Sequence, residues 1–597
     1  MRRTTTAAEV REKQRSQALA VRSSRRENSF TNKRFRQSSS SPTQQRLNAH
    51  VDQSAGTLDA TLRDIARSLQ QAQGNVELGM AAMLKLRTIL SRPNPPIGAV
   101  VDLNIMTELV LFLQSKSAAM QGEVTWCITN MASGGSHDAT LHILPSAPLI
   151  LQAIEGGSLN LAAQGWWALG NMAGDGDECR GYLLNIGSLR VLVASLTRAK
   201  VTLASAPGEA EAEAAWGLCR VAAWAISNLA RGGSSFLPFQ KAAVVPLLLE
   251  LLDSSDAEVK REVLWAFAFL TAKEEAYVHT LVMDYGLARV LCQRASELDF
   301  ARPADVAVLR SLGNLSAGPV EWVDALMREY TLLPTLCGIV ASDVGDRSAV
   351  KDAVWVAANL LGAEERHRGA VLTSSLLPLI VDKVLPSGFF DAQREAIFAI
   401  ECAVRDASVL GGAGALWSAG GAQAGQLLTK GDLLDCILKL ATMHDVEVGL
   451  ACLRIIRALA MTGRKTMLKL IDAGACDVLD SLQYNSGNEE VSRLAEAVAE
   501  EMEEEEDSDD GIAPATLRGD DGGRSFAFGS GVAVQGATVF DFGGGGGGGG
   551  GGVDGGGGGG SGSGGRGRGR GAQLPAWMTS LPTAAAPGLA GAVRAPL

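Results

Sequence analysis

An internal repeat limits this chain to a small set of folds. Six segments align with one another: VTWCITNMASG (124–134), GWWALGNMAGD (165–175), AAWAISNLARG (222–232), VLWAFAFLTAK (263–273), VLRSLGNLSAG (308–318) and AVWVAANLLGA (353–363). EAIFAIECAV (395–404) is a degenerate seventh copy. The anchor positions are separated by 41, 57, 41, 45, 45 and 43 residues and are Trp126, Trp167, Trp224, Trp265, Arg310, Trp355 and Phe398. A period of this length is typical of stacked structural units rather than of separate domains.

A second series of apolar segments keeps a fixed phase to the first. It lies 22–24 residues after the anchors, at Pro148, Arg190, Pro246, Arg289, Pro334 and Pro378. In both series aliphatic residues recur at helical spacing and proline stands at the start of an apolar run. Gly-rich segments such as 133–135 and 231–233 follow the first series. These signals predict about three helices in each unit of roughly 42 residues.

A unit of this kind is characteristic of armadillo and HEAT repeats, in which one unit cannot bury its apolar face alone and stacking supplies the core. We therefore expect an all-α, right-handed superhelical solenoid of about ten armadillo repeats over residues 76–502, with a long concave groove. The 57-residue step predicts an inserted loop around 198–214. The Gly- and Ala-rich stretch 411–425 predicts another.

Charge is divided unevenly along the 597 residues. Residues 1–50 hold twelve Lys or Arg against three Glu, a net +9, so that with a total of −11 the remaining 547 residues carry −20. We predict a disordered basic arm at 1–50 and a linker at 51–75. Residues 503–597 begin with a carboxylate run, and residues 511–597 hold 31 of the 69 glycines. An acidic and then Gly-rich disordered tail is expected there.

Several classes of protein are disfavoured by the sequence. No apolar run approaches the roughly 18–20 residues of a membrane span, and the N-terminus lacks the apolar core of a secretory signal, so we expect a soluble protein that is not exported. The nine cysteines include no CxxC pair, which favours a reducing compartment and argues against disulfides or zinc. The six histidines are scattered. We find no catalytic or metal-binding constellation, and expect neither an enzyme nor a cofactor.

The repeat carries a paired motif, W-x-x-x-N, which puts tryptophan and asparagine on one helix face. Amides both donate and accept, so a ladder of asparagines can bind the main chain of an extended peptide. Neighbouring indoles can hold the stem of a Lys or Arg side chain, and carboxylates can pair with its head. The pairs are Trp126/Asn130, Trp167/Asn171, Trp224/Asn228 and Trp355/Asn359, with Arg310/Asn314 keeping the asparagine alone; the carboxylates are Asp175, Glu262 and Asp352.

The alternative to a binding groove is a purely structural motif. A single W-x-x-x-N is more often part of a core than of a ligand site. Four copies in phase favour binding, on the reasoning that packing alone needs no asparagines, because buried amides require partners of their own.

The repeats WALGNMAGDG and WAISNLARG, together with SRPNPPI (91–97), resemble importin-α (karyopherin-α), most of all the alpha-9 type of plants and algae. The resemblance covers about residues 5–505. It implies an adaptor that binds Lys/Arg-rich nuclear localisation signals, links this cargo to importin-β, and shuttles between cytoplasm and nucleus.

The resemblance also implies two cargo sites. The major site is formed by Trp126, Asn130, Gly134, Thr140, Gln164, Trp167, Asn171, Asp175, Trp224, Asn228 and Glu262. The minor site is formed by Arg310, Asn314, Asp352, Trp355, Asn359 and Glu395. Phe398 and Cys402 stand where the family has Trp and Asn, so we expect a weakened minor site. The loop after Gly134 is one residue longer than in the family, which affects the register of Thr140.

Residues 8–36 resemble the importin-β-binding and autoinhibitory segment of the family. Its basic residues are Arg11, Lys13, Arg15, Arg22, Arg25, Arg26, Lys33, Arg34 and Arg36. A +9 arm tethered to an acidic body has a high effective concentration for its groove. The alternative is an organellar transit peptide, although Glu9, Glu12 and Glu27 are unusual for one.

Further partners follow from the resemblance. Residues 488–510 are similar to the region of the family that binds the export receptor for recycling. In the Gly-rich tail, three Arg-Gly steps and two Phe-Gly pairs are too few to favour a nucleic-acid or nucleoporin-like role over a flexible linker, and we expect no membrane partner. The competing hypothesis is an armadillo scaffold for a different extended partner, as in catenin-like proteins.

Overall fold

The computed structural model describes residues 55–134, 136–205, 207–231, 238–300, 306–342, 346–404 and 431–507. All regular secondary structure in these ranges is helical, which confirms the all-α prediction. The arm 1–50, the Gly-rich tail and the predicted loop 411–425 lie outside them. The helices are α1 Ala55–Ala72, α2 Val76–Leu90, α3 Ile97–Asp102, α4 Met106–Leu113, α5 Ala118–Gly134, α6 His137–Ile143, α7 Ala147–Gly156, α8 Leu159–Ala173, α9 Asp177–Asn185, α10 Ser188–Ala204, α11 Glu209–Ala230, α12 Pro238–Leu251, α13 Ala257–Leu270, α14 Glu275–Met283, α15 Leu287–Glu297, α16 Ala307–Ser316, α17 Val320–Met327, α18 Leu332–Ala341, α19 Arg347–Leu361, α20 Glu365–Leu372, α21 Leu376–Leu379, α22 Phe390–Val404, α23 Gly431–Ala441, α24 Val446–Ala460, α25 Arg464–Asp472, α26 Ala475–Asn485 and α27 Glu489–Asp507.

Ten of these helices form one continuous series in which each packs on the next. They are α2, α5, α8, α11, α13, α16, α19, α22, α24 and α27, and we call them the inner helices. The seven anchor positions of the repeat all lie on this series. The second apolar series forms a parallel layer that includes α4, α7, α10 and α12, again with each packed on the next. Stacked units of this kind confirm the armadillo-type solenoid and its roughly ten repeats.

One cluster of buried apolar side chains runs from Leu62 on α1 to Met502 on α27. The helical periodicity explains this, since each inner helix buries residues at i, i+3, i+4 and i+7, such as Val124, Cys127, Ile128 and Met131 on α5. Within the described residues, no single helix is long and apolar enough to cross a membrane; the bent pair Glu365–Leu372 and Leu376–Ser387 meets that test only when taken together, by length and composition.

Two expectations about the ends of the solenoid differ from the structure. The predicted linker 51–75 contains the helix α1, which packs on α2 through the fully buried side chains of Leu62 and Leu69. This helix supplies the apolar cover that the first repeat requires. At the other end α27 continues to Asp507, so the carboxylate run begins inside a helix rather than after it.

The inserted segment 198–214 is helical rather than a loop. It lengthens α10 to 17 residues and α11 to 22 residues, and only a short connection joins them. The expectation that prolines of the second series begin helices holds at Pro148, in the first turn of α7, but is wrong at Pro246, which lies inside α12.

Candidate functional site

Asparagine side chains connect four inner helices, α8, α11, α16 and α19, each to the inner helix before it. The Nδ2 atoms donate to main-chain oxygens: Asn171 to Thr129 at 3.0 Å, Asn228 to Gly170 at 2.9 Å, Asn314 to Ala268 at 3.0 Å and Asn359 to Gly313 at 3.1 Å. Every acceptor directly precedes the asparagine position of the preceding repeat. At the start of the series, Asn130 donates to the Ser91 hydroxyl at 3.2 Å.

These bonds fix the orientation of the amides. A carbonyl oxygen only accepts, so the atom that faces it must be Nδ2, and Oδ1 is turned away from it. Asn314 and Asn359 also donate to the hydroxyls of Thr271 and Ser316, at 3.0 and 3.1 Å. The reasoning that packing needs no asparagines is therefore wrong, because these amides have partners between repeats.

The tryptophans of the repeat fall into two groups by exposure. Trp224 is 4% exposed and Trp355 is 1% exposed, whereas Trp126, Trp167 and Trp265 are only partly buried. A glycine in the preceding inner helix explains the first group. A Cβ on Gly170 or Gly313 would overlap the six-membered ring of Trp224 or Trp355, respectively. The three partly exposed indoles are thus the better candidates for contact with a ligand.

Arginines of the chain itself lie over two of these indoles. The guanidinium of Arg310 lies 5.0 Å from the ring centre of Trp265, and its Nε is 3.2 Å from Asp352 Oδ2. Arg87 lies 4.7 Å from the ring centre of Trp126 and pairs with Glu123 at 2.5 Å. In both cases a cation is held between an indole face and a carboxylate, which is the chemistry that a Lys or Arg side chain of a ligand requires.

Polar side chains recur three residues before the anchors, on the same helix face as the anchor positions. Glu262, Asp352, Glu395 and Gln164 are all buried, at 5, 0, 6 and 5% exposure. Gln164 Nε2 donates to Thr129 Oγ1 at 2.9 Å and so joins two repeats. Three of these four side chains are carboxylates, and a buried carboxylate is stabilised by a nearby cation, as Asp352 is by Arg310.

Asp175 lies in the connection between α8 and α9, where polar side chains contact its carboxylate. Its side chain is only 6% exposed. Thr140 Oγ1 donates to Asp175 Oδ1 at 3.1 Å, and His137 Nδ1 lies 2.5 Å from Oδ2. Gly134, the last residue of α5, is exposed. Thr140 therefore reaches Asp175 in spite of the longer loop after Gly134.

The predicted minor site differs from the major one in its side chains. Phe398 and Cys402 occupy the Trp and Asn positions of α22. The guanidinium of Arg394 lies 5.6 Å from the ring centre of Phe398 and pairs with Glu447 at 2.5 Å. At this repeat a cation of the chain covers the ring, and the thiol of Cys402 replaces an amide.

Some residues of the groove were not found by the sequence analysis. Arg87, Arg394 and His137 contact the anchor rings or Asp175, but they stand outside the repeated motif, so their positions follow only from the stacking. The structure also brings His137, Asp175 and Cys179 together, although no metal-ligand spacing is visible in the sequence. The basic residues of the arm lie outside the described residues.

Comparison with known proteins agrees with this architecture. Residues 93–133 match the family model "Armadillo/beta-catenin-like repeat". The chain is 28% identical over 358 residues to importin subunit alpha-9 of Arabidopsis thaliana, covering 57% of this chain and 65% of that protein. It is 31% identical over 215 residues to importin subunit alpha-6 of the same plant, covering 35% of this chain and 37% of that protein. The matched part therefore spans less than two thirds of each relative.

A solved structure shows the same fold. An engineered protein in a crystal structure superposes with a TM-score of 0.60 at 23% identity, covering 74% of this chain and 99% of that one.

Importin subunit alpha-1b of rice (Oryza sativa subsp. japonica) is a further protein similar in sequence. It is 26% identical over 296 residues, which cover 49% of this chain and 51% of that protein. The predicted resemblance is confirmed by these similarities: the chain is an all-α armadillo-repeat solenoid that is similar to importin alpha subunits.

Proposed function

We propose that this protein is a nuclear import adaptor without catalytic activity, which binds Lys/Arg-rich localisation signals along its inner helices and moves between cytoplasm and nucleus. The observation that carries the proposal is the recurrence of an indole and an oriented amide on α5, α8 and α11, together with the carboxylate of Asp175 after α8. The similarity to importin alpha subunits supports the same function.

In the proposed major site, Trp126 and Trp167 hold the stems of basic side chains, and the ammonium of one lysine approaches Asp175. Asn130, Asn171 and Asn228 bind the peptide main chain. Because their Nδ2 atoms donate to the preceding repeat, Oδ1 accepts from peptide N–H groups. Each contact of an ammonium with an indole contributes about 0.5–2 kcal/mol when it is partly desolvated.

The minor site binds more weakly in this proposal. The ring of Phe398 attracts a cation less strongly than an indole does, and Cys402 cannot supply an amide. We therefore expect a signal peptide with two basic clusters to bind with less than about threefold higher affinity than one with a single cluster, equivalent to under about 0.7 kcal/mol.

The N-terminal arm links the adaptor to importin-β and competes with cargo for the groove. The charges of the two parts support this competition, because residues 1–50 carry a net +9 and are tethered to a remainder that carries −20. A pull-down of residues 1–50 with importin-β tests the first role. Deletion of residues 1–50 tests the second: we expect higher affinity for a Lys-rich peptide, and an unchanged affinity excludes autoinhibition. Recycling by an export receptor through residues 488–510 is part of the same proposal.

Charge-matched peptides separate the adaptor from the alternative, an armadillo scaffold for a different partner. Fluorescence anisotropy is measured with a Lys-rich peptide and with the same peptide carrying Glu at each Lys position. The adaptor binds the Lys-rich peptide and not its acidic counterpart. Preference for the acidic peptide indicates the scaffold.

A further inference from the structure

We infer that His137, Asp175 and Cys179 form a three-ligand site for a zinc ion at the edge of the groove. One ligand atom of each residue, the imidazole nitrogen, a carboxylate oxygen and the thiol sulfur, lies within 4.8 Å of the other two. The three residues come from separate elements: the first residue of α6, the connection between α8 and α9, and α9 itself. The stacking of two repeats brings them together.

The distances are close to those of a tetrahedral site. Zinc bonds of about 2.0 Å to nitrogen or oxygen and about 2.3 Å to sulfur require ligand atoms about 3.3–3.6 Å apart. Cys179 Sγ lies 3.9 Å from Asp175 Oδ2, and His137 Nδ1 lies 2.5 Å from the same oxygen. The imidazole therefore has to move outward by less than about 1 Å. It can do so because the His137 side chain is 50% exposed.

Neighbouring side chains orient Asp175 and lie near His137. Thr140 Oγ1 donates to Asp175 Oδ1, which leaves Oδ2 directed at the His137 and Cys179 atoms. His137 Nε2 lies 3.9 Å from Glu178 Oε2, so a carboxylate faces the nitrogen that does not bind the metal. Zinc-binding histidines usually have such a carboxylate as a partner.

The donor set selects zinc over the harder divalent ions. Thiolate and imidazole are ligands of zinc, whereas magnesium and calcium require oxygen ligands throughout. Three protein ligands leave the fourth position to water or to a group from a partner. On binding, the metal replaces the proton of the Cys179 thiol, which passes to solvent, while the neutral imidazole keeps its one proton on Nε2.

The test uses the full-length protein with Co²⁺ as a spectroscopic probe and Zn²⁺ as competitor. We expect tetrahedral visible bands and a thiolate charge-transfer band, saturating at one Co²⁺ per chain and lost on addition of Zn²⁺. Mg²⁺ does not displace the cobalt. Cys179→Ser removes the charge-transfer band, and His137→Ala lowers the Zn²⁺ affinity at least tenfold.

Cys292→Ser is the matched control, because Cys292 is also fully buried but lies on α15 in a distant repeat. Its binding of Zn²⁺ stays within twofold of the wild type. Circular dichroism verifies that each variant is folded, and the exposed position of His137 keeps that substitution informative if Cys179→Ser unfolds the repeat. Absence of stoichiometric Zn²⁺ binding overturns the inference, as does binding that His137→Ala leaves unchanged.

Discussion

The indole of Trp224 lies directly on Gly170, the residue whose carbonyl accepts the hydrogen bond from Asn228 at 2.9 Å. Two side chains four residues apart on α11 therefore hold the same residue of α8. Trp355 and Asn359 hold Gly313 in the same way. In these two repeats the W-x-x-x-N motif thus joins neighbouring repeats. The same contacts set the distance between successive inner helices.

Gly170→Ala is expected to separate α8 from α11 locally. The added Cβ overlaps the Trp224 ring, so the indole has to move, and overpacking of this kind usually costs about 1–3 kcal/mol. Thermal unfolding followed by circular dichroism should show a lower midpoint.

Gly217→Ala is the control for that substitution. Gly217 lies on α11, and a Cβ there meets no atom within 4 Å. Because alanine favours the helix, we expect this variant to be as stable as the wild type or more so, by up to about 1 kcal/mol. If both variants unfold at the wild-type temperature, the packing of the Trp224 indole does not require a glycine at position 170.

Asn228→Ala and Asn228→Asp should both destabilise the protein, and aspartate should do so more. Alanine removes the donor to the Gly170 carbonyl, which costs about 1–3 kcal/mol in a buried position. Aspartate puts a carboxylate oxygen against that carbonyl and adds repulsion. Urea unfolding gives the two changes in stability.

Asn160→Ala is the matched control for Asn228, because Asn160 is exposed and lies on an inner helix, α8. It should change stability by less than about 0.5 kcal/mol. An Asn228→Asp variant as stable as the wild type contradicts the assigned orientation of the amide.

The stabilising effect of Asp256 is expected to disappear in acid. Burial raises the pKa of this carboxyl, but hydrogen bonds from Arg220 and from the main-chain N–H groups of Val259 and Glu258 outweigh it and hold the pKa below its usual 3.8. A carboxyl whose pKa is lower in the folded than in the unfolded state stabilises the fold at pH values above its unfolded-state pKa. This stabilisation is lost as the pH falls through the folded-state pKa.

Asp256→Ala tests this pH dependence. Asp256 is the N-cap of α13, so we expect a loss of about 0.5–2 kcal/mol that is constant between pH 5 and 7 and shrinks below about pH 4. Asp480→Ala, at an exposed position within α26, is the control for removing a carboxylate from a helix. A difference between wild type and Asp256→Ala that is as large at pH 2 as at pH 7 contradicts the account.

Zinc and a Lys-rich peptide should compete, since both place a cation at Asp175. With a saturating concentration of Zn²⁺ we expect the peptide Kd to rise at least fivefold in the wild type and to stay unchanged in Cys179→Ser. This prediction combines the zinc site with the proposed function. Unchanged peptide affinity in protein that demonstrably holds Zn²⁺ contradicts the shared use of Asp175.

Much of the fold follows from the sequence, because stacked repeats depend on a local periodicity that is visible in one dimension. The period located the anchor positions from Trp126 to Phe398, all of which lie on the inner helices. The helix α1 was missed because residues 51–75 carry no copy of the repeat, although Leu62, Ile65 and Leu69 share one helical face. The length of the insertion at 198–214 predicts a loop, whereas its richness in alanine and glutamate favours the helices that the structure has there.

The candidate site was harder to predict than the fold. The sequence identified the motif but not its exposure, since the burial of Trp224 depends on Gly170, which is 54 residues away. The contact of His137 with Asp175 joins residues 38 positions apart and belongs to no repeated pattern. Contacts between non-equivalent positions of neighbouring repeats can be found only after the repeats are stacked.

The most direct test of the proposed function is the affinity of a Lys-rich signal peptide for full-length protein carrying Trp167→Ala. Trp167 is partly exposed, in contrast to the fully buried Trp166 beside it, so its removal takes away a face for the lysine stem without emptying the core. We predict at least tenfold weaker binding, about 1.4 kcal/mol, with Asn160→Ala binding as tightly as the wild type. Equal affinity of Trp167→Ala and wild type would show that the peptide is bound elsewhere and would contradict the groove assignment.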